Sequence, residues 1–161
     1  MNMDAAILAE LSDLVYLEAR LLDDADYEPW LALFAEGGRY WVPLKGRLQA
    51  EDETHNSIAD EDHLLRAMRV ERLRSPRAHS QQPPSQCQHV LQAPSLVEGG
   101  ADRWLLRTAF TYSECRGESS VTLHGHCLHR IVRSDGRLRI ALKRVNLLNA
   151  HARLPAVQLF I

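Results

Sequence analysis

The sequence predicts an α+β fold in which helices come first and a long antiparallel sheet follows. Apolar residues recur at spacings of three and four in the first 22 residues, which is the period of an amphipathic helix. Residues 103–149 form three long segments rich in β-forming residues, separated by short turns. Strands of about 13 residues exceed the usual length and should curve. The sequence therefore predicts a cone-shaped sheet wrapped on N-terminal helices.

Length and composition describe an ordinary globular chain. Its 161 residues fit a single domain, 1–161, with its own core. A formal net charge of −2 gives no reason to expect nucleic acid as a partner. No apolar run approaches the roughly 20 residues that span a bilayer, and the first residues lack a secretion signal. Three cysteines without framework spacing suit reduced thiols. We therefore expect a cytoplasmic protein that binds neither membrane nor nucleic acid.

Two helices are predicted before the first strand. Residues 3–22 carry one apolar stripe and form the first helix. Asp26 is expected to cap a second, short helix with its carboxylate, and Gly37-Gly38 to end that helix. The buried face of the second helix is expected to consist of Trp30, Leu33 and Phe34.

The first strand is predicted from Arg39 to Val42, ended by Pro43. Tyr40 and Trp41 are neighbours on it, so their rings point to opposite faces of the sheet. One ring is expected in the core. The other, for which we take Trp41, is expected at the rim or against a partner, where an amphipathic ring is stable.

The middle of the chain is predicted as a loop over residues 45–58, then a third helix from an Asp60 cap to Leu73. Five arginines lie between Arg66 and Arg77, and they favour either an acidic partner subunit or a solvated helix face. Arg72 and Arg74 are thus candidate partner contacts. The expected inward residues are Leu64, Leu65, Met68 and Leu73, and the expected outward residues are Arg66, Arg69, Glu71 and Arg72.

The remainder of the chain is predicted as strands. A Pro-Pro pair enforces extended backbone before a strand at Cys87–Gln92. Asp135-Gly136 is a strong hairpin signal, because a type I′ turn needs positive φ at both central positions. The three long strands are predicted at 103–115, 119–133 and 137–149.

The histidines near residue 126 suggest a metal site only weakly. On a strand, His124 and His126 share one face, while Cys127 and His129 share the other, so one metal cannot take all four. Cys87-Gln-His89 and Cys127-Leu-His129 look faintly like an iron–sulfur ligand pattern, but their spacing departs from it. We expect ordinary polar positions and no metal ligands in this chain.

An acid–base site is the alternative chemistry. A cone-shaped fold can place Tyr16, Asp24, Asp26 or His89 inside, where a buried carboxylate with a Tyr or His partner can move protons. The structural alternative is that the two aspartates cap or precede a helix and that Tyr16 lies at the rim. The residue pattern favours this structural alternative, so no catalytic residue is assigned.

Three blocks of the sequence, in order, resemble one family. They are EARLLDDADYEPWLALFAEGGRYWVPL, LLRAMRVERLRSPRAHSQQPPSQCQHVLQ and the stretch from Phe110 through Asp135-Gly136 to KRVNLLNAHARLPAVQLFI. They are similar to the small (beta) subunits of aromatic-ring-hydroxylating dioxygenases, the Rieske non-haem iron oxygenases. The resemblance runs from about residue 14 to 161. The ending LPAVQLFI and Gly37-Gly38 depart from the family pattern, which leaves the substrate open.

The resemblance implies a fold and an assembly. The fold is the cystatin-like, nuclear-transport-factor-2-like cone, with N-terminal helices on a strongly curved, mixed and mainly antiparallel sheet. Three large (alpha) and three small chains are expected, with contacts between small subunits allowed. The large subunit carries the Rieske [2Fe-2S] cluster and the mononuclear Fe(II). A ferredoxin and a reductase supply NAD(P)H-derived electrons to it, and this chain carries no cofactor.

Two functions therefore follow as hypotheses. The first is a non-catalytic small subunit that stabilises the large-subunit trimer and influences substrate preference in aromatic compound catabolism. It predicts a small or filled interior and an apolar face, for which the tail residues Leu159, Phe160 and Ile161 are candidates. The second is a stand-alone cone-fold isomerase or dehydratase with an open pocket and an ionisable pair inside.

Overall fold

The computed structural model describes residues 5–52 and 54–161. No helix in this part of the chain is long and apolar enough to cross a membrane. The elements in chain order are α1 (Ala5–Asp23), α2 (Tyr27–Leu31), β1 (Phe34–Pro43), β2 (Ser57–Glu61), α3 (His63–Arg74), β3 (Gln86–Leu91), β4 (Ser95–Gly99), β5 (Arg103–Arg116), β6 (Ser119–Ser134) and β7 (Arg137–Leu147).

The strands form one mixed, mainly antiparallel sheet. Its order is β2-β1-β7-β6-β5-β3, and β4 pairs with one end of β5. β1 runs parallel to β7, while the other neighbours are antiparallel. The buried stripe of α1, which includes Leu11, Val15 and Leu22, joins the core formed by the inner face of the sheet. The predicted α+β class is confirmed.

The long C-terminal strands were predicted within one or two residues, whereas β2 and β4 were missed. Asp135 (φ 50°) and Gly136 (φ 73°) both have positive φ and form the predicted hairpin turn between β6 and β7. β2 and β4 are five-residue edge strands without alternating apolar residues, so their sequences resemble loops. Residues 3 and 4 of the predicted first helix lie outside the described residues.

The predicted second helix is wrong at its C-terminal end. α2 ends at Leu31, and Phe34 already belongs to β1, so Gly37-Gly38 lie inside a strand. A Cβ atom at Gly38 would lie 2.9 Å from the carbonyl oxygen of Ile140 in β7, and the register between β1 and β7 shifts at this point. The glycines therefore permit an irregularity in β1 and a close approach of the β7 backbone. Asp26 does occupy the N-cap position of α2, but its side chain makes no capping hydrogen bond.

The predicted inward and outward faces of α3 are reversed over its first turns, whereas Leu73 packs against the core and Glu71 and Arg72 are exposed as predicted. Leu64, Leu65 and Met68 are 64%, 46% and 59% exposed, whereas Arg66 is fully buried and Arg69 is largely covered. The helix also starts later than predicted. Its N-cap is Asp62, whose carboxylate accepts a hydrogen bond from the backbone N–H of Leu65 at 2.9 Å, while Asp60 lies in β2.

Arg66 turns inward because the chain offers it partners there. Its Nη1 donates to the carbonyl oxygens of Gly38 at 2.7 Å and Glu61 at 2.9 Å. Its guanidinium lies 4.0 Å from the centre of the Phe34 ring, a cation–π arrangement. Burial lowers the pKa of Arg66 from its ordinary value. The arginine thus fastens α3 to β1 and β2, a role that a periodicity argument assigns to leucine.

Tyr40 and Trp41 are both buried, so the prediction of one exposed ring is wrong. Trp41 is 1% exposed and lies between the guanidinium groups of Arg39 and Arg144, 4.2 and 4.4 Å from its centre. Its indole N–H donates to Ser57 Oγ at 2.8 Å. The rim position expected for Trp41 exists, but arginine side chains of the same chain cover it.

The apolar C-terminal tail fills the interior, which corrects its prediction as an exposed face. Leu159, Phe160 and Ile161 are 4%, 0% and 2% exposed. The Phe160 ring lies 4.3 Å from that of Trp30 and 5.4 Å from that of Tyr40, centre to centre. Tyr40 accepts a hydrogen bond from the backbone N–H of Ile161 at its hydroxyl oxygen, at 3.0 Å. These three side chains are therefore not available to a partner.

Gly125 in β6 should be intolerant of any side chain. A Cβ atom there would lie 2.1 Å from the backbone carbonyl oxygen of Asn146 in β7, inside van der Waals contact. We expect Gly125→Ala to lower the free energy of unfolding by about 1–3 kcal/mol, since both strands must move apart. Urea denaturation would measure it. Gly100→Ala is the control, because its nearest atom is 3.5 Å away; equal losses in both variants would contradict the prediction.

Candidate functional site

A buried ion pair lies at the centre of the molecule. Glu18 on α1 and Lys143 on β7 are 2% and 1% exposed, and Lys143 Nζ donates to both carboxylate oxygens, at 2.8 and 3.0 Å. The indole N–H of Trp30, on α2, donates to Glu18 Oε1 at 2.7 Å. One carboxylate thereby joins two helices to the sheet.

Each member of this ion pair favours the charged form of the other. Burial alone would raise the pKa of Glu18, but the Lys143 ammonium, its hydrogen bonds and the nearby His129 ring together hold the pKa of the carboxyl below its ordinary range. Burial likewise opposes the charge of Lys143, yet the Glu18 carboxylate raises the pKa of the ammonium above its ordinary value. The two groups are thus charged at neutral pH and cannot exchange protons readily as an acid–base couple.

His129 on β6 lies beside the ion pair but is not part of it. Its Nε2 is 3.7 Å from Glu18 Oε2, too far for a hydrogen bond, and neither ring nitrogen has a partner. Burial lowers the pKa of His129, and the nearby Glu18 carboxylate does not offset this. His129 is therefore a neutral, buried imidazole at neutral pH.

Aromatic side chains and the tail occupy the space around these polar groups. Trp30, Tyr40, Tyr112 and Phe160 are each no more than 1% exposed. Tyr112 donates from its hydroxyl to Glu114 Oε2 at 2.7 Å, and burial raises the pKa of this phenol far above its ordinary value. The phenols of Tyr40 and Tyr112 are therefore enclosed by protein.

An open cleft of about 640 Å³ lies where the end of α1 meets β3. In its wall His89 Nδ1 lies 2.6 Å from Asp23 Oδ1, and the backbone N–H of His89 also donates to that carboxylate at 3.1 Å. Cys87 Sγ is 3.7 Å from Asp23 Oδ1. Burial, and then the Asp23 carboxylate, raise the pKa of Cys87 to about 12, so the free thiol is not a ready nucleophile.

The acid–base candidates from the sequence meet only in part. Tyr16, Asp24 and His89 line this cleft, whereas Asp26 is exposed at the start of α2. The carboxylate that pairs with His89 is Asp23 rather than Asp24 or Asp26. A local signal existed for it, since Asp23 follows Ala19 by four residues on the buried stripe of α1.

The internal ion pair was missed in the sequence, although both members interrupt apolar patterns. Glu18 follows Leu14 and Val15 at spacings of four and three, and so lies in the apolar stripe of α1. Lys143 shares a face of β7 with Val145. A charged residue at a core position of each element is the signal that could have paired them.

The histidine-rich segment of β6 does not assemble a metal site. Cys127 and His129 are buried, while His124 is exposed, which confirms the predicted alternation of faces. No three of the four candidate ligands come together among the residues that the structure describes. Strand β5 also separates Cys87 and His89 on β3 from the pair on β6.

Of the proposed partner contacts, only the arginines remain exposed. Arg72 is exposed at the end of α3. Arg74 is half-exposed and already pairs with Glu28 at 2.7 Å, and Arg69 pairs with Glu61. Carboxylates of the same chain thus already pair with Arg74 and Arg69, the contact that was expected from an acidic partner.

Comparison with known proteins shows the family to which the chain belongs. A family profile described as "Ring hydroxylating beta subunit" matches residues 17–153. The small oxygenase component of the p-cumate 2,3-dioxygenase system of Pseudomonas putida is 37% identical over 139 residues, covering 84% of this chain and 76% of the relative. The chain belongs to the ring-hydroxylating beta-subunit family.

A second relative agrees with this membership, and a solved structure shares the fold. The benzene 1,2-dioxygenase subunit beta of P. putida is 27% identical over 100 residues, which span 58% of this beta-subunit chain and 54% of the relative. A naphthalene 1,2-dioxygenase structure with indole in its active site has TM-score 0.81 and 17% identity, covering 99% of this chain and 88% of that one.

The predicted cone fold is also confirmed. An NTF2-like protein with a cystatin-like fold from Novosphingobium aromaticivorans has TM-score 0.62 at 17% identity, covering 88% of this chain and 81% of that one. At such identities the likeness shows the fold alone.

Removing one member of the internal ion pair should destabilise the beta-subunit chain strongly. Lys143→Met leaves the Glu18 carboxylate buried without its counter-charge, and we expect a loss of about 3–5 kcal/mol in the free energy of unfolding. The double variant Glu18→Gln/Lys143→Met should recover part of that loss. Arg130→Met, which breaks the half-exposed pair with Glu51, is the control, with about 0–1 kcal/mol. A double variant whose loss of unfolding free energy equals the sum of the losses of Lys143→Met and Glu18→Gln would contradict the coupling between the two side chains.

His129 should make stability fall on mild acidification. Its folded pKa is lowered from 6.5, so the unfolded chain takes up a proton that the folded chain excludes, and stability is lost as pH falls below about 6.5. We expect a slope of up to about 1.4 kcal/mol per pH unit between pH 6.5 and 5.5. Urea titrations of His129→Gln should show a smaller slope, and exposed His124→Gln is the control. An unchanged slope in His129→Gln would refute this.

Proposed function

We propose that this chain is the non-catalytic small subunit of a Rieske-type aromatic-ring-hydroxylating oxygenase, acting in the cytoplasm beside a large subunit that carries out the chemistry. Family membership over residues 17–153 is the observation that carries the proposal. The relatives named above are themselves small or beta components of dioxygenases. On this proposal the chain stabilises an assembly of three large and three small subunits and influences substrate preference through it.

The filled interior supports a structural role. The tail places the Phe160 ring against Trp30 and Tyr40, and Lys143 Nζ of the internal ion pair lies 5.9 Å from the centre of the Tyr40 ring. A small-molecule site needs a concave pocket with a few polar groups facing it. In this chain the interior groups Glu18, Lys143 and Trp30 bond to one another, which supports the role of a packed scaffold.

The ligands available here do not fit a Rieske cluster, which the family pattern builds from two Cys and two His. The close group of ligand residues in the described ranges is Asp23, Cys87 and His89, which supplies one of each type. On this proposal the [2Fe-2S] cluster and the mononuclear Fe(II) are held by the large subunit, which receives electrons from a ferredoxin and a reductase.

Two exposed apolar patches are available for assembly. One consists of Leu48 and Leu148, 76% and 75% exposed, which line a common groove with the basic side chains of Arg47 and Arg107. The other lies on α3 and consists of Leu64, Leu65 and Met68, with Arg72 one turn beyond. An obligate interface buries on the order of 2,000 Å² or more, and apolar side chains of this exposure are suited to its centre.

Co-expression with the large subunit tests the proposal. We expect a tagged large subunit to retain this chain through gel filtration in a complex of roughly 200 kDa, the size that an assembly of several large and small chains implies. At least one of Leu148→Glu and Met68→Glu should reduce retention severalfold, because a buried carboxylate lacks a partner. Val97→Glu, on edge strand β4, is the matched control. Failure of the wild-type chain to associate with the large subunit would overturn the proposal.

The stand-alone isomerase or dehydratase remains testable beside it. Its strongest remaining support is the pairing of His89 with Asp23, together with Tyr16 and Asp24 in the same cleft. Asp23→Asn and Asp24→Asn should leave ring hydroxylation by the complete complex within about twofold of wild type, since proton transfer by a lost base contributes ~100-fold or more. Turnover of a small molecule by the isolated chain, abolished by Asp23→Asn, would favour the enzyme instead.

A further inference from the structure

The wall of the α1–β3 cleft brings together three side chains that are all ligands for borderline metal ions. Asp23 ends α1, while Cys87 and His89 lie two residues apart on β3 and point to the same face. Their ligand atoms all lie within 4.8 Å of one another. Together they offer one carboxylate oxygen, one sulfur and one imidazole nitrogen, a set that zinc accepts.

The spacing of these atoms is close to that of a tetrahedral site. With Zn–S of about 2.3 Å and Zn–O of about 2.1 Å, tetrahedral angles place sulfur and oxygen about 3.6 Å apart. Cys87 Sγ and Asp23 Oδ1 are 3.7 Å apart. His89 Nδ1 and Asp23 Oδ1, now 2.6 Å apart and hydrogen-bonded, must separate by about 0.7 Å to accept the ion between them.

The surroundings hold the ligands in place and leave one side open. The backbone N–H of His89 donates to both oxygens of Asp23, at 3.1 Å each, which fixes the carboxylate against the strand. The His89 ring packs 5.0 Å from that of Tyr112, and its side chain is 4% exposed. The cleft itself is open to solvent, so water can occupy a fourth position.

We propose that Asp23, Cys87 and His89 form a binding site for a single zinc ion. The ion replaces the thiol proton of Cys87, which leaves to solvent, and the imidazole proton moves from Nδ1 to Nε2. A doubly charged cation with one thiolate, one carboxylate and a neutral imidazole gives a neutral site in this largely buried wall. The site would tie the end of α1 to β3, and it is independent of the partners with which the chain assembles.

Cobalt(II) titration of the untagged full-length chain tests the site, since cobalt takes the same ligands and reports them by absorption. We expect one equivalent to bind, with the visible bands of tetrahedral coordination and a near-ultraviolet sulfur-to-cobalt charge-transfer band. Zinc should displace the cobalt and raise the midpoint of thermal unfolding of the wild-type chain, because it binds only the folded state tightly.

Each ligand has a matched neighbour that serves as its control. Cys87→Ser, His89→Gln and Asp23→Asn should each weaken zinc binding at least about tenfold, and Cys87→Ser should also abolish the charge-transfer band. Cys115→Ser and Asp24→Asn change the same residue types in the same cleft, and His124→Gln removes an exposed histidine. These three should bind zinc within about twofold of wild type.

The outcomes separate a metal site from a purely structural tether. Absence of stoichiometric cobalt binding by the wild-type chain, or no zinc effect on its unfolding midpoint, would overturn the proposal. So would a charge-transfer band that survives Cys87→Ser or disappears in Cys115→Ser. Circular dichroism of each variant shows whether it folds; if a ligand variant does not, the wild-type spectrum and unfolding midpoint still decide.

Discussion

A carboxylate–ammonium pair in the interior is the interaction on which the rest of the structure depends. Glu18 receives hydrogen bonds from Lys143 on the sheet and from Trp30 on α2, so three elements meet at a single side chain. A buried ion pair contributes little net stability compared with an apolar replacement, but it is costly to break. An arrangement of helix and sheet that separated the two charges would leave each of them buried and unpaired. Trp30 and Phe160 pack beside the pair, with ring centres 4.3 Å apart.

That pair also bears on function. The interior of a cone-shaped sheet is where such a fold can hold a ligand, and here Glu18, Lys143 and Phe160 occupy it. The Glu18 carboxylate, the Lys143 ammonium and the Trp30 indole bond to one another. A chain built in this way suits a role in which its outer surface matters, which agrees with membership of the ring-hydroxylating beta-subunit family.

The sequence was sufficient for the class of fold and for the long strands, because alternation and the Asp135-Gly136 turn are local signals. It was insufficient where tertiary partners decide. Arg66 points inward because its guanidinium donates hydrogen bonds to the carbonyl oxygens of Gly38 and Glu61, which lie on other elements. Phe34 belongs to a strand because β7 pairs with it, although its local pattern continues a helix. Periodicity cannot anticipate a partner that is distant in sequence.

The candidate cleft shows the same limit at the level of single residues. His89 and Cys87 stood out in the sequence as polar residues on a strand, but the carboxylate that joins them comes from the end of α1. The spacing from Ala19 favours Asp23 over Asp24 for the buried stripe, but whether that stripe meets β3 depends on the orientation of the last helical turn. That orientation depends on packing of the whole helix against the sheet.

The position of the tail in the core has a consequence for synthesis of the protein. Phe160 and Ile161 complete an interior whose other members, such as Trp30 and Tyr40, leave the ribosome more than a hundred residues earlier. Until the last residues emerge, those rings have no cover and the nascent chain resembles a folding intermediate with exposed apolar surface. Closure also joins parts of the chain far apart in sequence, which slows folding. The core of the protein is thus completed only after residues 160 and 161 have been synthesised.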